Sequence, residues 1–194
     1  MTSWTTVADS EHALRNGHPG FVVWFTGLSG AGKTTLAVGL ERILFDQGHA
    51  AHVLDGDRLR AGLARDLGFG MLDRSENIRR TGDVSRILVD AGLIAIVALI
   101  SPLRADRQRV REAMPAGRFI EVFANSSLET CEHRDVKGLY VKARAGLLRD
   151  FTGITSPYEP PLCPEVELRT DTMTVQECLS GLITELASRQ LLRR

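Results

Sequence analysis

Phe21-Val22-Val23-Trp24-Phe25-Thr26-Gly27-Leu28-Ser29-Gly30-Ala31-Gly32-Lys33-Thr34-Thr35 is the stretch whose reading decides the fold. Its first five residues are an unbroken apolar run rich in strand formers, which predicts a strand buried on both faces. Residues 27–34 fit G-x-x-x-x-G-K-[ST] at every position. Glycines in that pattern let backbone N–H groups turn inward around a phosphate, and the helix that follows offers its positive end to the same anion. Lys33 is expected to bridge the β- and γ-phosphates of ATP, and the Thr34 hydroxyl to ligate Mg²⁺. Gly27, Ser29, Gly30, Ala31, Gly32 and Thr35 complete the expected ATP cradle. Leu36, Leu40, Ile43 and Leu44 then recur at helical spacing until Gly48, so the motif has a strand before it and a helix after it.

The same alternation runs outward from the cradle. Strands are predicted at 51–54, 93–100, 119–123 and 166–168, and helices at 74–90, 104–114, 127–134 and 175–188. Five apolar strands separated by helices predict an α/β fold, a parallel five-stranded sheet with helices on both faces. Residues 1–19 are polar and irregular and read as an N-terminal arm or short helix outside the core. Residues 20–194 read as one domain, since 194 residues suffice for a single well-buried core. Residues 146–164 lack a period and hold four prolines, which predicts a long ordered loop of functional use.

Bulk properties exclude several partner classes. A formal net charge of zero argues against nucleic acid or a membrane surface. Three cysteines, odd in number and without a C-x-x-C pair, suit a reducing cytoplasm better than a disulfide framework or a zinc site. No basic-then-apolar leader opens the chain, and the longest apolar run, 93–100, is too short for a membrane span of about 20 residues.

The cradle alone leaves kinase, GTPase and motor ATPase open. No lysine stands in an N-K-x-D guanine-reading motif, and the 93–100 strand ends in Ser101-Pro102 instead of an acid. Acids stand instead after the second strand, at Asp55 and Asp57. Small size with arginine-rich segments downstream suits a nucleoside or metabolite kinase with a mobile lid.

Further blocks narrow the choice. Leu54-Asp55-Gly56-Asp57 with Arg60, Leu67-Gly68-Phe69 and Asp73-Arg74-Ser75-Glu76-Asn77-Ile78-Arg79-Arg80 come first. Ile100-Ser101-Pro102 with Arg104, Asp106 and Arg107 follows, then Cys131 to Tyr140 with Lys142 and Arg144, and last Phe151-Thr152-Gly153-Ile154 and Ser156-Pro157-Tyr158-Glu159. In this order the set resembles the adenylyl-sulfate kinases of the P-loop kinase superfamily, over roughly residues 20–186. The resemblance implies ATP-dependent phosphorylation of the 3′-hydroxyl of adenylyl sulfate, a P-loop kinase fold, a lid over about residues 134–160, a homodimer and a functional link to ATP sulfurylase. It implies that Asp57 and Arg60 contact the substrate near the reacting ribose and the phosphosulfate. Phe69 and Phe151 would sandwich its adenine, and Arg74 and Asn77 would hold the phosphosulfate and ribose. Ile100 and Ser101 would line the same pocket, Lys137, Lys142 and Arg144 belong to the lid, and Arg134 lies against the adenine of ATP. The chain departs from the family pattern at Gly70, Val141, Thr155 and the turn 124–127.

Each residue also has a plainer use. Phe69 and Phe151 could be core aromatics, and the arginines from 104 to 111 mostly surface charge. Asp55 could cap the next helix or reach Mg²⁺ through water. Asp57 is the candidate for accepting the 3′-hydroxyl proton. Ser101 is either a pocket hydroxyl or, as described for some bacterial relatives, a phosphoserine carrier. The alternatives to the family reading are another nucleoside-monophosphate or metabolite kinase, and a non-catalytic nucleotide-binding module.

Overall fold

In the computed structural model, which describes residues 7–192, the strand at the cradle is β1 (Phe21–Thr26), and every one of its residues is buried. It follows α1 (Asp9–Asn16) and leads into α2 (Lys33–Asp46). The chain continues through β2 (Ala51–Asp55), α3 (Gly56–Ala61), α4 (Met71–Asp90), β3 (Ile94–Ala98), α5 (Arg104–Ala113) and β4 (Phe119–Asn125). It ends with α6 (Leu128–Arg134), α7 (Leu139–Arg144), β5 (Val166–Arg169) and α8 (Val175–Ser188). The five strands are parallel, in the order β2-β3-β1-β4-β5. Phe21 stands opposite Ile94 on one side, and Val22 opposite Phe119 on the other.

Alternation along β1 sends side chains into two cores. Phe21, Val23 and Phe25 pack with Leu36, Leu40 and Leu44 of α2 and Leu179, Leu182 and Leu186 of α8. Val22 and Trp24 pack with Ile78 and Val89 of α4 and Val110 of α5. Helices thus cover both faces, which is why the strands carry no polar alternation. On the second face α4 and α5 approach closely at Gly82, where a Cβ would come within 2.9 Å of a Val110 methyl.

Because β1 is followed in the sheet by β3 on one side and β4 on the other, the chain reverses its winding direction at β1. Loops at the carboxyl ends of the strands then diverge and leave a crevice, the place where open α/β sheets bind ligands. The cradle after β1, Asp55 at the end of β2 and Ile100-Ser101 just past β3 all reach it.

Four local features differ from the sequence expectations. Helix α4 begins at Met71, with Gly70 at its N-cap, three residues earlier than expected. The polar turn at 55–57 opens a short helix, α3, and a further helix, α7, lies inside the lid region. Arg107, expected on the surface with its neighbours, is buried. In the N-terminal segment, residues 1–6 lie outside the described residues. Helix α1 carries no buried residue, but Asn16 Nδ2 donates to the Gly92 carbonyl at 2.8 Å and His18 is fully buried.

His18 ties that segment to the sheet. Its Nδ1 lies 2.9 Å from the Pro19 carbonyl and its Nε2 accepts the Ala50 N–H at 3.2 Å, an arrangement that requires the neutral ring. Burial lowers its pKa, the Pro19 carbonyl partly opposing the shift, and burial with the adjoining His18 ring lowers that of His49. A histidine with a depressed folded pKa contributes stability that is present above the ordinary value of about 6.5 and is lost as pH falls through the folded value. The melting midpoint is therefore expected to drop between pH 7 and 5, and His18→Gln, which keeps an acceptor for Ala50 but does not titrate, should flatten that drop. Equal slopes for the two proteins would remove His18 as the cause.

Candidate active site

The cradle holds its shape through backbone geometry that side chains would spoil. Gly32 caps α2 at φ 89°, in the left-handed region. At Gly27 (φ 145°) a Cβ would come 2.5 Å from the Ala124 carbonyl oxygen. The loop therefore lies tight against β4 and delivers the free N–H groups of the first turn of α2 to one point. Lys33, the first residue of α2, is buried with its ammonium turned back on the loop. It donates to the Gly27 and Leu28 carbonyls at 3.0 and 2.7 Å. Burial brings its pKa down to about 8, with Cys131 opposing the shift.

Beside the cradle, the Thr34 hydroxyl donates to Asp55 Oδ2 at 2.8 Å, while Asp55 Oδ1 accepts the Asp57 N–H at 3.0 Å. Asp55 thus caps α3, one of the two uses expected of it, and its other oxygen faces the Thr34 hydroxyl. Asp57 leaves the first turn of α3 and forms an ion pair with Lys137, which spans from the lid side.

One continuous cavity of about 940 Å³ joins these groups. It is lined by Ser29, Gly30, Gly32, Lys33, Thr34, Thr35 and Arg134 around the cradle, by Asp55 and Asp57 beside it, and beyond them by Arg60, Phe69, Arg74, Asn77, Ile100, Ser101, Lys137 and Phe151. Four of the expected site residues stand off the wall. Gly27 and Ala31 support the loop from behind, and Lys142 and Arg144 sit exposed on α7, where Arg144 pairs with Glu132 at 2.5 Å. Arg134 donates to the Gly30 carbonyl at 3.3 Å and the Thr170 carbonyl at 2.6 Å, linking the cradle to the end of β5.

The two phenylalanines differ in setting. Phe69 is 62% exposed, with the Arg60 guanidinium 4.3 Å from its ring centroid and that of Arg74 at 5.9 Å. Arg60 is anchored by the Gly68 carbonyl at 2.7 Å, and Arg74 by the Phe69 carbonyl at 2.7 Å and the Asp150 carbonyl at 3.1 Å. Phe151 is only 8% exposed, part of the core as well as of the cavity wall. The reason is Tyr140, whose ring meets it edge to face at 5.0 Å and whose hydroxyl donates to the Ser29 carbonyl at 2.9 Å. Thr155, a departure from the family pattern, accepts the Phe151 N–H through its hydroxyl at 2.9 Å.

Ser101 has a left-handed backbone, φ 41°, and is 3% exposed. Its hydroxyl accepts the Trp24 indole N–H at 3.0 Å. A side chain at such a φ costs about 1 kcal/mol or more, which glycine avoids. Ser101→Gly and Ser101→Ala both lose the hydroxyl, so Ser101→Gly is expected to melt higher than Ser101→Ala, against the usual ranking. The reverse order would show that the backbone there is unstrained.

Several wall residues escaped the sequence reading. Tyr140, Leu147, Leu148, Arg149, Thr170, Met173, Thr174, Val175 and Cys178 all line the cavity. Thr174 alone carried a usable local signal, since T-x-x-E at 174–177 is a capping box. Tyr140 closes the Cys131–Tyr140 block but had no role of its own there, and the others stand in segments whose sequence shows no motif pointing at a ligand.

Comparison with known proteins agrees with this geometry. The adenylylsulphate kinase family model matches residues 19–169. An adenylyl-sulfate kinase of Staphylococcus haemolyticus is 50% identical over 186 residues, covering 96% of this chain and 94% of its own. One from Marinobacter nauticus is 51% identical over 187 residues, covering 96% and 94%. Among solved structures, the Mycobacterium tuberculosis APS kinase CysC in complex with AMPPNP and APS superposes with a TM-score of 0.83 at 45% identity, over 88% of this chain and 99% of that one. With a phosphate cradle, an acid pair beside it and a second ligand space in the same cavity, the chain belongs to the adenylylsulphate kinase family.

Proposed function

We propose that this protein transfers the γ-phosphoryl group of ATP to the 3′-hydroxyl of adenylyl sulfate, giving 3′-phosphoadenylyl sulfate and ADP. The observation that carries the reading is the single cavity with the cradle at one end and Phe69, Arg74, Asn77 and Phe151 at the other. Asn77 Oδ1 sharpens it: this acceptor is buried without a hydrogen-bond partner among the described residues, and a ribose hydroxyl would satisfy it. Relatives about 50% identical over nearly their whole length carry the same activity in their names.

Phosphoryl transfer asks the protein for in-line placement and charge balance more than for covalent chemistry. Phe151 and the face of Phe69 not covered by Arg60 would hold the acceptor's adenine, since aromatic stacking is worth about 1–3 kcal/mol per base. Arg60 and Arg74 would take the phosphosulfate oxygens in their planar forks. Asp57 would orient the 3′-hydroxyl and accept its proton, after exchanging the Lys137 ammonium for substrate. Lys137 would then be free to balance charge on the transferring group, while the lid shuts out water. The buried Ser101 hydroxyl, engaged by Trp24, favours direct transfer over a phosphoserine intermediate. Arg134 would lie by the adenine of ATP, and Lys142 and Arg144 would act on the lid from outside the cavity.

Among the described residues no group of three or more His, Cys, Asp or Glu side chains could form a metal cage. The Thr34 hydroxyl beside the Asp55 carboxylate fits an ion that arrives on ATP, with Thr34 as direct ligand and Asp55 reached through water. Mg²⁺ bound there would neutralise phosphate charge. The same reading makes the protein a cytoplasmic homodimer supplied by an ATP sulfurylase.

A coupled ADP-release assay tests the reading. ATP and Mg²⁺ should give turnover with adenylyl sulfate and none with AMP, gluconate or shikimate. Equal turnover of AMP would favour a nucleoside-monophosphate kinase, and tight nucleotide binding without any transfer would favour a non-catalytic module.

A further inference from the structure

Among the described residues three non-glycine residues have φ above +20°, in the left-handed region, namely Ser101, Asp150 and Gln190, and of these only Ser101 is buried. A strained, buried backbone persists only where its surroundings hold it. Arg107 does most of the holding. It is 2% exposed, and its guanidinium donates to the Ser101 carbonyl at 2.6 Å, to the Glu159 carbonyl at 2.8 Å and to Glu121 Oε1 at 2.6 Å. Glu159 N–H in turn donates to the Pro102 carbonyl at 2.9 Å, so the proline-rich loop and the turn after β3 are laced together around the arginine. From β1, the Thr26 hydroxyl donates to the Ile100 carbonyl at 2.7 Å.

We propose that Arg107 is a positioning residue for the acceptor end of the cavity, its buried guanidinium fixing the strained Ser101 carbonyl and with it the Ile100–Ser101 wall. The inference rests on the functional reading above for what the wall contacts, but not for the placement itself. A buried arginine with a single ionic partner is costly unless its other donors are filled. Here two of them are filled by carbonyls from two loops, and its planar fork joins those loops at set angles, which one ammonium cannot do. The nucleotide end is built from β1, α2 and α6 and has no bond to Arg107.

Arg107→Lys keeps the charge beside Glu121 and removes the fork. Amide hydrogen exchange on the ligand-free protein should accelerate about 10-fold or more at Leu99 and Glu159, whose N–H groups donate to the Phe25 and Pro102 carbonyls on either side of the wall, and stay unchanged across residues 27–35. In turnover, KM for adenylyl sulfate should rise about 10-fold with KM for ATP within about 2-fold of wild type. Unchanged exchange at those two amides, a uniform rise that includes residues 27–35, or equal changes in both KM values would each overturn the proposal. Should Arg107→Lys fail to fold, Arg107→Gln is the second variant, since it keeps a donor for the Ser101 carbonyl and removes the link to the Glu159 carbonyl. It should speed exchange at Glu159 with residues 27–35 unchanged, and its failure to do so would count against the proposal equally. If the wild-type protein neither binds nor phosphorylates adenylyl sulfate, the functional reading fails, and the exchange pattern alone decides for or against Arg107.

Discussion

Lys33→Ala is expected to lower turnover by ~10²-fold or more while the protein melts no lower than wild type. The ammonium is buried and, among the described residues, bonded only to the Gly27 and Leu28 carbonyls, with no carboxylate partner. Its folded pKa of about 8 lies below the usual lysine value, so the protonated group is held against a desolvation penalty that alanine removes. The sign of the pH effect follows. Between about 8 and the usual lysine value of about 10.4 the folded chain binds fewer protons than the unfolded one, so stability rises with pH in that window. Wild type should gain on Lys33→Ala there, as the penalty disappears by deprotonation. Nucleotide affinity should move the other way, falling as pH rises past about 8, because a neutral amine balances no phosphate charge. Calorimetric melting and ATP-analogue titration at pH 7 and 9.5 measure both. Unchanged turnover in Lys33→Ala would remove the lysine from the chemistry.

Phe151→Ala and Phe69→Ala should separate binding from stability. Phe151 packs on Tyr140 inside the core, so its truncation is expected to cost about 3–5 kcal/mol of stability. It should also weaken adenylyl sulfate binding by about 5- to 150-fold, the worth of one stacking face. Phe69 stands largely in solvent, under Arg60, and its loss should leave the melting midpoint nearly unchanged while giving a comparable rise in KM for adenylyl sulfate. KM for ATP, measured on the remaining folded enzyme, should hold in both. A Phe69→Ala protein with normal KM for adenylyl sulfate would remove that ring from the acceptor site.

The roles of the two rings illustrate what can be read along a chain. Residues 27–34 announce a phosphate cradle because its chemistry depends on backbone N–H groups that are consecutive, so glycine spacing and one lysine carry the whole signal. Strand and helix order is legible for a similar reason, since burial on both faces or on one helical stripe leaves a period in the residues themselves. The acceptor end is assembled differently. Its parts come from α3, α4, the turn after β3, the lid and the loop after α7, and only the family's set of short blocks pointed to them together.

Arg107 and Phe151 were beyond that reach. Arg107 stands in a helix with arginines on every side, and nothing local distinguishes it from Arg104 or Arg109. Its burial is set by Glu121 on β4 and by two loop carbonyls that sequence leaves far apart. Phe151 lies in an aperiodic loop, and whether it is core or surface depends on where α7 places Tyr140. Helix α7 itself has six residues, too few to leave an apolar period, and is held at its start by the Asp135 carboxylate on the Tyr140 and Val141 N–H groups. The sequence by itself determined the parallel sheet, the cradle and the chemistry it performs, because each depends on neighbours in the chain. Only the tertiary structure decided which arginine is buried, which phenylalanine is core and how Ser101 is held, because a side chain's dielectric and partners come from other elements, as far away as 52 positions for Arg107 and 77 for Ser101.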